Sequence, residues 1–161
     1  METTQPDLLV KMILMGWDAQ NSYLNKLISS LTDEQFAKEI APGKNTGVYL
    51  LGHLIAVSDG MLPLLGFGDR LFPEMEEVFI KNPDKSGQVF LSVPELKQRL
   101  EAVNTKLNSH FRSAEVNGWL SRHEAVSSED FVKEPHRNKL NVVINRTGHM
   151  AYHIGQLRLI N

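Results

Sequence analysis

Apolar residues recur every three or four positions over long stretches of the chain, the spacing of a helix with one buried face. Over residues 7–30, Leu8, Met12, Met15, Ala19, Tyr23 and Leu27 form such a stripe, and Leu9, Ile13, Gly16, Leu24 and Ile28 widen it. Thr32-Asp33-Glu34-Gln35 carries the reciprocal capping pattern, which predicts a short helix through Lys38. Ala41-Pro42-Gly43-Lys44-Asn45 then breaks the chain. A second long helix is predicted over residues 46–65. It is apolar nearly all round, with Val48, Leu50, Leu51, Leu54, Ile55, Val57, Met61, Leu62 and Leu64, so it belongs among other helices. Pro73, Pro83 and the polar run 81–88 predict a long crossover with one helical turn near residues 74–79. Ser92-Val93-Pro94-Glu95 opens a third helix, whose face carries Leu96, Leu100, Val103, Leu107 and Phe111 and which ends before Gly118. Residues 119–137 are charged and irregular, and a last helix runs from residue 137 to the end.

No stretch alternates apolar and polar residues as a strand would. The expectation is an all-α chain: a four-helix bundle with long connections after helices 2 and 3, forming a single domain over residues 1–161.

Composition narrows the function. The chain has 161 residues, no cysteine and a formal net charge of −2. That length buries a core without disulfide or structural-metal support. The absence of thiols excludes disulfides, iron–sulfur clusters, cysteine zinc sites and cysteine nucleophiles. A slightly acidic balance sets up no field for nucleic acid, so no nucleic-acid partner is expected. Residues 1–7 lack a basic and then apolar leader, and the apolar run 48–67 is interrupted by Gly52, His53, Asp59, Gly60 and Pro63. No membrane partner is expected, and a cytoplasmic location is the simplest expectation.

The histidines carry the chemistry. His149 and His153 stand four apart, so on a helix their rings project from one face about a turn apart and can grip one divalent ion. Val142, Asn145, Gln156 and Ile160 share that face, which turns inward. His53 sits in the most apolar helix of the chain, where an imidazole costs free energy unless both nitrogens find partners. Three such rings could share that cost by binding one metal. The competing reading is a set of core histidines satisfied by hydrogen bonds, and the residues alone leave both open. Gly52 and Gly148 precede His53 and His149, and a residue without Cβ would let the backbones approach.

Asn145 and Gln156, about a turn either side of the pair, are candidates to orient ligands or the second ring nitrogens. Trp17 and Asn21 are candidates for the pocket wall, and His110 for a supporting position. His123 and His136 fall in polar connections and are expected to be solvated. His-Met-Ala-Tyr-His lacks the built-in glutamate of a zincin, and no Glu stands three before a His as in di-iron carboxylate bundles. Three neutral histidines without a fourth protein ligand suit an open site, and imidazole donors accept Zn, Ni, Cu or Fe. No catalytic residue beyond them is identifiable.

Gly-His-Leu in the second helix and Gly-His-Met-Ala-Tyr-His-Ile-Gly-Gln-Leu near the end resemble the DinB-like superfamily over essentially the whole chain. His53, His149, His153, Gly155, Gln156 and Leu157 match its pattern. Tyr152 stands where many relatives carry a second histidine, and Ile154 where an arginine is usual. The resemblance implies a divalent metal (Zn, Ni or Fe) on His53, His149 and His153. Relatives include thiol S-transferases using bacillithiol, a mycothiol-dependent isomerase and metal-dependent hydrolases, and many are homodimers. The expectation is therefore a metal-dependent enzyme acting on a small molecule, with thiol S-transfer favoured and a low-molecular-weight thiol as cosubstrate. A hydrolase, a non-catalytic metal-binding or stress-response bundle, and a regulatory interaction protein are the alternatives. Ligand histidines must be neutral, so metal affinity is expected to fall as pH drops toward about 6.

Overall fold

The computed structural model describes residues 4–160. Its elements are α1 (Gln5–Ser30), α2 (Asp33–Phe36), α3 (Gly47–Asp59), α4 (Met61–Leu64), a π-helical turn (Glu77–Lys81), α5 (Val93–Ser113), α6 (Val116–Trp119), α7 (Ser128–Lys133) and α8 (Lys139–Leu157). The described residues contain no strand. Two isolated bridges, Glu39 to Thr46 and Arg122 to Asn138, pin the ends of connections.

Local chemistry sets the helix starts. Thr4 with Asp7, Thr32 with Gln35 and Ser92 with Glu95 form complete capping boxes, each satisfying two backbone donors that the helix leaves free. Thr4 moves the start of α1 ahead of the expected residue 7. Asn138 caps α8, so the last helix begins at Lys139 rather than at residue 137.

The second long helix is divided. α3 stops at Asp59, and α4 resumes for one turn after Gly60. Pro63 lacks the N–H that would donate to the Asp59 carbonyl, and its ring crowds that carbonyl. The turn predicted at residues 74–79 lies slightly later, as the π-helical turn.

α1 runs along α8, and α3 packs against α5, α8 and the π-helical turn. One cluster joins Trp17, Leu24 and Ile28 of α1, Leu51 and Ile55 of α3, Leu100 and Leu107 of α5, and Val143, Met150 and Leu157 of α8. The stretch Gly47–Leu64 is long and apolar enough to pass as a membrane span, yet 67% of it is buried inside the protein. It is the central helix of this core.

Polar anchors hold the 65–92 connection against α3. Asp59, fully buried, accepts the N–H groups of Leu71 and Phe72 at 2.8 and 3.0 Å. Asp84 accepts the N–H and hydroxyl of Thr46 at 2.6 and 2.9 Å, and the Tyr49 hydroxyl donates to the Asn82 carbonyl at 2.8 Å. Gly52 completes the fit, because a Cβ there would stand 2.2 Å from the Phe79 ring. Gly52→Ala should therefore lower the unfolding free energy by about 1–3 kcal/mol, the usual cost of overpacking. Denaturant unfolding checks this, and an unchanged midpoint would contradict it.

Candidate metal centre

The i, i+4 spacing on α8 stacks His149 and His153 on one face, and α3 brings His53 opposite them. The Nε2 of His149 lies 3.2 Å from Nε2 of His53 and 3.0 Å from Nε2 of His153. The outer nitrogens are committed elsewhere. His53 Nδ1 lies 2.8 Å from the Phe79 carbonyl in the π-helical turn, and His153 Nδ1 lies 2.6 Å from Gln156 Oε1. Both partners are acceptors, so each Nδ1 carries the proton and each Nε2 presents a bare lone pair.

His149 Nε2 faces both lone pairs and can bring at most one proton between them. A cation satisfies all three nitrogens at once. With bonds of about 2.0–2.1 Å, donors separated by right to tetrahedral angles lie about 2.9–3.4 Å apart, which brackets the observed spacings. The donor set fits a divalent metal: His53, His149 and His153 are positioned to bind one ion.

The surroundings favour the neutral forms of His149 and His153. Burial, then the electrostatic influence of His153 and His53 and of the Arg146 cation, pushes His149 down to about 4. Burial also lowers His153, against the acceptor Gln156, which favours its charged form. The rings are also fixed in orientation. Gln156 donates from Nε2 to the Tyr152 hydroxyl at 3.1 Å, which fixes the amide with Oε1 toward His153. Tyr49 lies parallel to His53 with centroids 6.4 Å apart.

The other expected residues divide. Gln156 lies against His153, with Oε1 2.6 Å from its Nδ1. Asn145 does not reach the imidazoles: it is exposed, and its amide donates to the Asn141 carbonyl one turn earlier at 2.9 Å. Trp17 and Asn21 are buried but do not line the histidine cleft. The Asn21 amide donates to the Trp17 carbonyl, and the Trp17 ring meets Phe111 edge-on at 5.8 Å. His110 stacks on Phe67 at 4.6 Å, outside the cluster. His123 is partly buried rather than solvated, and burial and Arg137 lower its basicity; His136 is exposed. Gly52 admits the Phe79 ring, not α8, and a Cβ on Gly148 would meet nothing within 4 Å.

A cleft of about 630 Å³ opens beside His53 and His149. Val57, Pro63, Leu64, Ile80 and Ala125 form its apolar wall, with Arg70, Glu124 and Arg146 among them. The sequence reading missed these charges. Arg146 was within reach of it, since it stands three before His149 on the same helix face. Glu124 was not, because it arrives from the irregular connection before α7. Phe79 contributes a backbone carbonyl, which no side-chain pattern announces.

The family comparison agrees with this geometry. The DinB superfamily matches residues 17–157, and the chain belongs to it. Among solved structures the chain is similar to a conserved protein from Enterococcus faecalis. That protein is 15% identical, with 93% of this chain and 95% of that one covered and a TM-score of 0.61, a likeness of fold. No curated protein matches the chain.

The lowered basicity of His149 sets a pH dependence. An unfolded imidazole takes up its proton near 6.5, but folded His149 does so only near about 4. Between those values the unfolded chain binds more protons, so stability is fully present above 6.5 and is lost as pH falls through the window. Melting temperatures of metal-free protein across that window should fall steeply for the wild type and less for His149→Gln. Parallel curves would contradict this origin.

Proposed function

We propose that the chain is a four-helix-bundle enzyme that acts on a small molecule as a metal-dependent thiol S-transferase. His53, His149 and His153 hold its divalent ion, with Zn, Ni and Fe the candidates. The observation that carries this reading is the convergence of three Nε2 atoms beside an open cleft, with no fourth protein donor in the set. An ion there supplies Lewis acidity and keeps a thiol or water deprotonated at neutral pH.

The chain's own residues do the rest. Phe79 and Gln156 keep the lone pairs of His53 and His153 aimed inward, and Tyr152 holds Gln156. The apolar wall of Val57, Leu64 and Ile80 excludes water from one side of the cleft. In the transfer, sulfur forms a bond to an electrophilic carbon, the leaving group departs with its electron pair, and the thiol proton passes to solvent. This step needs no general base once the thiol is ionised, and no carboxylate is part of the histidine cluster.

Glu124 supports a second reading. It lines the same cleft, so a carboxylate is available to take a proton from water, as a hydrolase requires.

The assay is turnover of metal-loaded protein with a small thiol and a haloaromatic acceptor, beside an ester substrate without thiol. Thiol-dependent turnover that falls at least about a hundredfold in His149→Ala is the expected result. Ester cleavage alone, lost in Glu124→Gln, would replace transfer by hydrolysis. Turnover in neither arm above the His149→Ala control would refute both.

A further inference from the structure

The charges in the cleft do not balance. Arg70 is answered by Glu76 at 3.0 Å, and it also donates to the Ala56 carbonyl at 2.9 Å. Glu124 faces Lys139 at 3.9 Å. The third charge, Arg146, makes no ion pair and no hydrogen bond with any described residue. Its guanidinium is partly buried, and burial alone depresses its basicity.

Among the described arginines that are not exposed, that isolation is peculiar to Arg146. Arg70, Arg99, Arg122 and Arg137 are equally sheltered from solvent, and each has a partner. Arg99 pairs with Glu74, Arg122 donates to the Val126 carbonyl at 2.9 Å, and Arg137 pairs with Glu134 at 3.1 Å. A half-buried guanidinium without a partner costs free energy, and its five donors have a fixed fork geometry. The uncompensated cation lines the cleft that contains His149, and helix spacing sets it one turn before that ring.

We propose that Arg146 is a binding residue for a carboxylate on the small molecule that occupies this cleft, through a charge-assisted, bidentate contact. Arg70 and Glu124 are matched within the protein, so Arg146 alone leaves a guanidinium fork free, and one fork matches one carboxylate. The apolar residues that line the same cleft take its hydrocarbon part. That this ligand is a substrate of the metal centre rests on the function proposed above; that Arg146 binds a carboxylate does not.

The test compares 3-mercaptopropionate, 2-mercaptoethanol and propionate, followed by NMR shifts of the protein's amides, on metal-loaded and metal-free chain. The first two differ in the carboxylate and the third lacks the thiol. Arg146→Gln should weaken 3-mercaptopropionate about tenfold and leave 2-mercaptoethanol unchanged, the size of one charge-assisted contact. Arg146→Lys, which keeps the charge but not the fork, should restore only part of the loss. Propionate reads the anchor alone, even if no thiol ever binds the metal. It should shift amides around Arg146 in the wild type and not in Arg146→Gln. Thiol binding without any carboxylate preference, or propionate shifts that persist in Arg146→Gln, would overturn the proposal and leave the metal reading standing. Failure of both thiols with propionate behaving as stated would overturn thiol transfer and leave the anchor. The melting temperature gives a further readout. Loss of an unpartnered cation should leave Arg146→Gln at least as stable as wild type, and a marked drop would make Arg146 structural and overturn the proposal.

Discussion

Two imidazoles whose outer nitrogens already donate must turn bare lone pairs inward, and here both face the same third nitrogen. His53 is committed to the Phe79 carbonyl and His153 to Gln156, and His149 Nε2 stands 3.2 and 3.0 Å from the two inner nitrogens. Hydrogen bonding among the three rings supplies one proton for two lone pairs, so at least one is poorly satisfied. A cation removes that conflict. The rest of the local structure maintains it. Gly52 lets the Phe79 ring sit on α3, Asp84 and Asn82 tie the connection down, and Tyr152 fixes the amide of Gln156.

The same arrangement links stability to function. A core histidine with two satisfied nitrogens would be inert packing. Here burial and neighbouring Arg146 help keep His149 neutral down to about 4. Fixed and convergent imidazoles are what a metal needs, so little reorganisation remains on binding. Apolar residues and one unmatched arginine line the cleft beside the metal donors, so it offers a ligand a cationic fork and hydrocarbon contact together.

Much of this was legible in the sequence because helical periodicity places residues reliably. The stripe on α5 and the two capping boxes at Thr32 and Ser92 specify their helices locally, and His149 with His153 follows from i, i+4 spacing. The helix over residues 7–30 formed, but its buried face is Val10, Trp17, Asn21, Leu24 and Ile28, while Leu8, Met12, Met15, Ala19 and Tyr23 of the expected stripe are exposed, because apolar residues recur on both faces and tertiary packing chose the other one. What failed depended on tertiary contacts. Asn145 shares the periodic face yet is exposed and spends its amide on the Asn141 carbonyl one turn earlier. Trp17 and Asn21 are inward-facing as read, but they meet Phe111 and each other's turn, not the histidines. The Gly148 argument failed because that position faces open space. The Phe79 carbonyl and Glu124 come from the two connections, where no periodicity constrains the chain.

The central claim is most directly tested by titrating tag-free protein with Zn(II) under equilibrium dialysis and reading the bound ion by X-ray absorption. The account predicts one ion per chain with three nitrogen donors at about 2.0–2.1 Å, and loss of that site in His53→Ala, whose ring comes from a different helix than the other two. Substoichiometric metal, or a site that His53→Ala leaves intact, would contradict it.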